Sequence, residues 1–393
     1  MSEPDSNLAP WPFYAEDEIQ AVSAVLSSGR VNYRTGTEGV SFEAEYATAT
    51  GAKHALTVAN GTAALELALS AIGIGPGDEV IVPARTFVAT AAAVVRCGAT
   101  PVVADIDPLS QNLTEETLVA LLSERTRAVI PVHLAGWPAE MDEILSAARA
   151  SGLAVIEDCA QAHGALYKGK AVGTLGDIGC FSFCQDKIIS TGGEGGMVLT
   201  NNAMLHQRMW SLRDHGWDYD RANAQDNSPG FKWLVDTFST NWRLTESQSA
   251  IGRIQLRKLE DWVSTRRHNA AVLTSTLQGL DGVRVPMPPE TLRHSYYKYY
   301  ALIDPDALSG SWTRDRIVDE LNAHGVPARV GACPDISREK AFTNAAINTS
   351  NSRPHAASIE DRTFMIPVHP TLTDGNLSFM TDALEATFKK AKR

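Results

Sequence analysis

A chain of 393 residues, 44% hydrophobic and 21% charged, has the length and composition of a soluble globular protein with a large core, expected to divide into two domains. The net charge of −11 excludes a broad nucleic-acid surface, which needs clustered Lys and Arg, and leaves room only for a locally basic cleft. Five cysteines (Cys97, Cys159, Cys180, Cys184, Cys333) lie mostly in apolar segments as reduced thiols with no metal-site spacing, and the acidic start Met1-Ser2-Glu3-Pro4-Asp5 is no signal peptide, so a cytoplasmic protein without a metal or membrane span is expected.

In chain order, His54–Asn60 reads as a strand and Thr62–Ile72 as a helix with Leu65, Leu67, Ala68 and Leu69 on its apolar side. Glu79–Ala84 is predicted as a strand, Val88–Cys97 as a helix and Pro101–Asp105 as a strand. Ala128–His133, Ala154–Glu157, Cys180–Phe183 and Met197–Thr200 repeat the strand signal, and Met141–Ala150 has helical spacing. Nearly continuous Val/Ile/Ala strands separated by helices predict an α/β fold with a mostly parallel central sheet covered on both faces. Asp214–Ser239 loses this rhythm and reads as a long loop near the site. A helix around Thr245–Trp262, with Ile251, Ile254, Leu259 and Trp262 on one face, leads toward a smaller part of the chain. There Tyr296–Ile303 is strand-like and Arg314–Ala323 and Asn376–Ala391 are helical, while Asn344–Ser352 is locally polar. The expected division is a large domain over 1–250 and a smaller C-terminal α+β domain over 251–393.

The chemistry sits where these elements end. Val155-Ile156-Glu157-Asp158 is an apolar run closing on a carboxylate, and Phe181-Ser182-Phe183-Cys184-Gln185-Asp186-Lys187 leads into the glycines 192–196. A buried carboxylate, then a lysine flanked by a serine and glycines, is the wiring of a pyridoxal phosphate site. Lys187 would form the imine, Asp158 would hold the pyridinium nitrogen protonated, and Ser182 with backbone amides would take the phosphate. Thr62 and Ala63 follow Asn60-Gly61 at a strand-to-helix junction, where free amides and the helix dipole attract a phosphate. The glycines at 192–196 open no helix, so the dinucleotide fingerprint fails. His163 reads equally as a substrate contact or a satisfied buried histidine.

These blocks, together with Gly75-Pro76-Gly77-Asp78-Glu79-Val80, Thr86-Phe87-Val88-Ala89-Thr90, Glu157–Gly164 and Asn241-Trp242-Arg243-Leu244-Thr245-Glu246, resemble the DegT/DnrJ/StrS sugar aminotransferases from about Trp11 to about Thr373. The resemblance implies a fold-type I pyridoxal phosphate transferase, with pyridoxamine phosphate as the intermediate form. It assigns the imine to Lys187, a contact near the cofactor's ring hydroxyl to Gln161 and ring stacking to Phe87. It also implies that Asn241 reaches the neighbouring subunit's phosphate, so that the active sites of a homodimer are shared. Arg243 becomes a candidate anion contact and His215 part of a cleft-lining segment. The chain departs from the common pattern at Arg85, Trp137, Ile188 and Gly331-Ala332-Cys333-Pro334-Asp335-Ile336, all of which bear on substrate shape.

The expected activity is transfer of an amino group from L-glutamate to a nucleotide-linked keto-sugar, giving an amino sugar for surface polysaccharide or glycoside synthesis. A keto-cyclitol aminotransferase is the alternative within the same family. The resemblance implies that a dehydratase of this fold would replace the lysine with histidine or carry iron–sulfur cysteines, and a non-enzymatic relative would be expected to lose Lys187 or Asp158; the chain has Lys187, Asp158 and no such cysteine set.

Overall fold

Short Val, Ile and Ala runs bury both faces in the centre of the molecule, so they form strands that helices can cover from either side. The computed structural model describes residues 8–224 and 231–393. Its strands are β1 (His54–Val58), β2 (Glu79–Pro83), β3 (Thr100–Ala104), β4 (Thr126–Val129), β5 (Ala154–Asp158), β6 (Leu166–Tyr167), β7 (Lys170–Ala171), β8 (Ile178–Ser182), β9 (Gly196–Thr200), β10 (Val283–Arg284), β11 (Leu292–Arg293), β12 (Tyr299–Ile303) and β13 (Thr363–Ile366). A seven-stranded sheet runs in the order β1-β9-β8-β5-β4-β2-β3. Its pairs from β8 to β3 are parallel, and only β9, between β8 and β1, runs against its neighbours.

Side-chain alternation divides the core between the two faces. Val80, Val82 and Ile156 pack with the helices Gly61–Ala71 and Ala89–Arg96. Ile81, Val129 and Val155 pack with Phe42 and Tyr46 of Glu38–Thr50 and with Met141 and Ile144 of Met141–Ala150. A third apolar cluster lies in the C-terminal part, where β10, β12 and β13 form an antiparallel sheet behind the helices Arg314–Ala323 and Asp374–Ala391.

Most expected elements are present within a residue or two of their predicted ends, and Met141–Ala150 and Arg314–Ala323 coincide with prediction. Three differences have physical reasons. The helices Glu16–Ser28 and Glu38–Thr50 precede the first predicted element; the former buries only Glu18 and Val25, too little for an apolar period. The helix expected to end near Trp262 runs over Glu246–Leu277, because its second half buries Arg266 and Asn269 among the apolar positions and so hides the stripe. Within Asp214–Ser239 a short helix forms at Tyr219–Asn223, and residues 225–230 of that segment lie outside the described residues.

The strands β2, β4, β5 and β8 share one direction, and the loops at their carboxyl ends gather where open parallel sheets place ligands.

Candidate active site

At the carboxyl end of β1, Asn60 is extended (φ −167°) and its side chain accepts from the Ala63 amide at 2.8 Å, starting the helix Gly61–Ala71. Asn60 O takes the Ala64 amide. The amides of Gly61 and Thr62 are left in the orphan set of a helix start. Ser182 closes on this turn from the end of β8: a Cβ on Gly61 would lie 2.6 Å from the Ser182 Cβ. Gly196 is required for the same reason, since its Cβ would stand 2.6 Å from Asn60 O. Helix start and serine hydroxyl therefore form one cradle suited to a dianion.

Asp158, at the end of β5, has its carboxylate nearly buried. Its oxygens accept from Thr90 Oγ1 at 2.9 Å and the Ala160 amide at 3.1 Å, and Thr90 is held by Thr86 Oγ1 at 2.9 Å. Burial pushes this carboxyl above its ordinary value, against the pull of those donors and of Lys187. A cationic N–H donor in the cavity would relieve that cost. Gln161 is fixed by its oxygen, which accepts from the Ala135 amide at 2.8 Å and leaves the NH2 end available. Ala135 manages this with φ 55°, in a turn whose Gly136 could not carry a Cβ without meeting Ser295 Oγ at 2.4 Å.

Lys187 follows β8. Its carbonyl accepts from Trp11 Nε1 at 3.1 Å, and its Nζ lies 3.5 Å from the Tyr297 hydroxyl. Thr62, Ala63, Phe87, Asp158, Gln161, Ser182 and Lys187 all line one cavity of about 680 Å³, a size suited to a cofactor and a small substrate. Phe87 is 67% exposed there, a ring face open to a planar partner. Pyridoxal phosphate fits this donor set: an anion cradle, an undersupplied buried carboxylate and a primary amine in one space.

The expected substrate contacts are not in this cavity. His163 is a correction: it is fully buried, Nδ1 bonds Tyr46 OH at 3.0 Å and Nε2 bonds Ser182 O at 2.9 Å, so neither nitrogen can meet a substrate. Burial lowers it to about 4, and as a neutral ring it steadies the strand end that carries Ser182. Arg243 is instead ion-paired with buried Asp214, whose other oxygen takes Arg34 Nε at 2.6 Å. His215, at φ 61°, stands on the same segment with its side chain half exposed. Asn241 is exposed and accepts from the Arg243 amide at 3.2 Å, while its neighbour Trp242 lines the cavity.

Sequence reasoning missed Tyr297, Thr90, Asp186 and Trp242. Thr90 was legible as part of Thr86-Phe87-Val88-Ala89-Thr90, four residues from its partner; Tyr297 is 110 positions from Lys187 and carries no local signal.

The model of the DegT/DnrJ/EryC1/StrS aminotransferase family matches residues 12–385. A solved aminotransferase from Psychrobacter cryohalolentis is 44% identical and superposes with a TM-score of 0.95, covering 98% of this chain and 99% of its own. GDP-perosamine synthase of Caulobacter vibrioides is 43% identical over 292 residues, 74% of this chain and 75% of that protein. L-glutamine:2-deoxy-scyllo-inosose aminotransferase of Streptoalloteichus tenebrarius is 36% identical over 391 residues, 95% of this chain and 90% of that protein. The chain belongs to the DegT/DnrJ/EryC1/StrS aminotransferase family and is a fold-type I, pyridoxal phosphate-dependent aminotransferase.

Proposed function

We propose that this aminotransferase moves an amino group from glutamate to the ketone of a nucleotide-linked sugar, in active sites shared across a homodimer. The observation that carries the chemistry is the convergence of Lys187, Asp158 and the Ser182 cradle on one cavity. The 43% identity to a GDP-perosamine synthase supports a nucleotide-linked substrate over a free cyclitol. For the dimer, support comes from Asn241, which stands outside its own chain's cavity, and from the exposed Phe231, Trp233 and Phe238 nearby. Residues 1–250 are read as the part that holds the cofactor and 251–393 as the smaller part closing over it.

Pyridoxal phosphate, when bound, supplies an electron sink that lets the proton on the donor's alpha carbon leave. The chain does the rest. Lys187 Nζ takes that proton as general base and holds it as an ammonium. Asp158, backed by Thr90, keeps an anionic oxygen toward a protonated ring nitrogen. The Gln161 NH2 would meet the ring's oxygen, and the amides of Gly61 and Thr62 with Ser182 Oγ would orient the phosphate, while the Ala63 amide stays on Asn60 Oδ1. In the second half-reaction Lys187 serves the sugar ketone in reverse.

The test is a panel of nucleotide-linked 3- and 4-keto sugars and a free keto-cyclitol, each incubated with glutamate or glutamine and read by mass. Amination of a nucleotide-linked ketone is expected; turnover of the cyclitol alone would overturn the substrate assignment.

A further inference from the structure

Tyr297 belongs to no sequence motif, yet its oxygen is the polar atom beside the amine of Lys187. Nζ lies 3.5 Å from that oxygen and 4.5 Å from the ring centre. Among the described residues Nζ has no other hydrogen-bond partner. The tyrosine hydrogen is committed elsewhere, to Asp186 Oδ2, so a lone pair is what Nζ meets. Lys298 Nζ stands 3.6 Å from the same carboxylate oxygen and 4.9 Å from the centre of the same ring. Tyr297 and Asp186 both line the cavity, so the pair is part of the site and not of the core.

We propose that Tyr297, oriented by Asp186, aims the freed amine of Lys187 and steadies it as an ammonium during each proton transfer. The inference rests on the assignment of Lys187 above and adds the group that positions it. Nothing but hydrogen bonds changes: Nζ donates to the tyrosine oxygen, the tyrosine keeps its own proton and donates it to Asp186. The proton taken from the donor's alpha carbon therefore stays on Nζ until it is returned. A separation of 3.5 Å is long for this bond, as catalytic contacts are before substrate tightens the site.

The protonation states agree with that direction of donation. Burial, then the Asp186 charge, hold the Tyr297 hydroxyl well above its ordinary value, so it remains a donor. Burial raises Asp186, but Lys187, Lys298 and the Tyr297 hydroxyl outweigh it and keep the carboxyl low. The other charged or titratable groups facing the pair are Arg266, Cys184 and Tyr300, with Asp158 beyond Lys187. Of these groups, Asp186 is the acid placed to balance an ammonium through the tyrosine.

Tyr297→Phe keeps the ring under Nζ and removes only the oxygen. Loss of that acceptor should lower the half-reaction rate with glutamate roughly 10- to 100-fold with KM little changed. The isotope effect with alpha-deuterated glutamate should rise, because the proton step becomes slower. The pH midpoint at which the visible band of the lysine-bound cofactor titrates should fall by about one unit, since a positive nitrogen loses its acceptor. Asp186→Asn should move midpoint and rate in the same directions by less, and it carries the test if Tyr297→Phe melts early. Wild-type midpoint and isotope effect in either folded variant would overturn the proposal, leaving Tyr297 a packing residue. A Lys187→Ala control distinguishes the two levels: retention of the visible band there would sink the lysine assignment itself, whatever Tyr297→Phe does.

Discussion

Glu157 and Asp158 are adjacent carboxylates on β5, both buried, and they have opposite fates. Strand alternation sends them to opposite faces. Glu157 Oε2 takes His133 Nε2 at 3.0 Å and the Gly173 amide at 2.8 Å, while Oε1 takes the amides of Leu175 at 2.8 Å and Gly176 at 2.7 Å. His133 is fixed in that tautomer because its Nδ1 accepts from the Ala139 amide at 3.0 Å. Among the described residues Asp158 has only Thr90 and the Ala160 amide, and it faces the cavity. A buried charge whose lone pairs are filled by backbone amides holds loops together. One left short of donors at a cavity wall is available to a ligand.

The comparison breaks most visibly through activity. Asp158→Asn preserves shape but withdraws the charge meant for a ring nitrogen, so kcat should fall about 10³-fold while the melting temperature stays within about 2 °C. Near-normal turnover would show that Asp158 is scaffold like its neighbour. Glu157→Gln is the converse experiment. Its new NH2 would face amide donors already pointing inward, and the buried network should lose about 3 kcal/mol or more of stability, read by denaturant melting. The folded fraction should keep kcat within a few-fold; a large kcat loss without destabilisation would erase the distinction.

That distinction was half legible in the sequence. Asp158 and Lys187 were readable because an apolar strand ending in a carboxylate, and a lysine between a strand and glycines, are local patterns. The cradle of Thr62, Ala63 and Ser182 was readable for the same reason, since helix starts announce themselves. Glu157 gave no sign of its role, because its donors come from His133 and from the turn at 173–176, set by tertiary packing. His163 stood evenly between a substrate contact and a satisfied buried histidine for the same reason: only the fold shows Tyr46 and the Ser182 carbonyl occupying both nitrogens. Tyr297 reaches Lys187 across the chain. The N-terminal helices and the far half of Glu246–Leu277 were hidden because their buried faces include Glu18, Arg266 and Asn269, which break the apolar period.

His163 sharpens the comparison through pH, since its ring is bonded to the Ser182 carbonyl behind the cavity wall. Burial holds its folded value at about 4, below the ordinary 6.5. A depressed histidine means the unfolded chain binds more protons between those values, so its contribution is intact above about pH 6.5 and lost as pH falls toward 4. This one residue would account for roughly 3 kcal/mol of acid sensitivity. Melting curves from pH 7.5 to 5 should show His163→Gln flatter than the parent, although His294 and His369, also depressed by burial, keep some slope. Parallel curves would mean that protonation of His163 is not what the folded state resists.

The smallest expected effect is at Thr90, and it tests the comparison at its finest point. Among the described residues Asp158 receives one side-chain donor, Thr90 Oγ1 at 2.9 Å, itself placed by Thr86. Thr90→Val keeps the branched shape on the buried helix face and removes that donor. If Asp158 is a ligand-facing charge, losing a donor raises its carboxyl further and weakens its hold on a protonated ring nitrogen; one such bond is worth about 1 kcal/mol, or roughly fivefold to tenfold in kcat. Stability should hardly move, because the valine removes a polar group along with its bond and leaves Thr86 Oγ1 as the neighbour to be satisfied. The double variant Thr90→Val with Asp158→Asn then decides the matter. With the charge gone, the threonine has nothing to tune, so the second substitution should add little to the first. Additive losses would place Thr90 on a separate route to the chemistry, and the reading of Asp158 as the acceptor that Thr90 serves would fall.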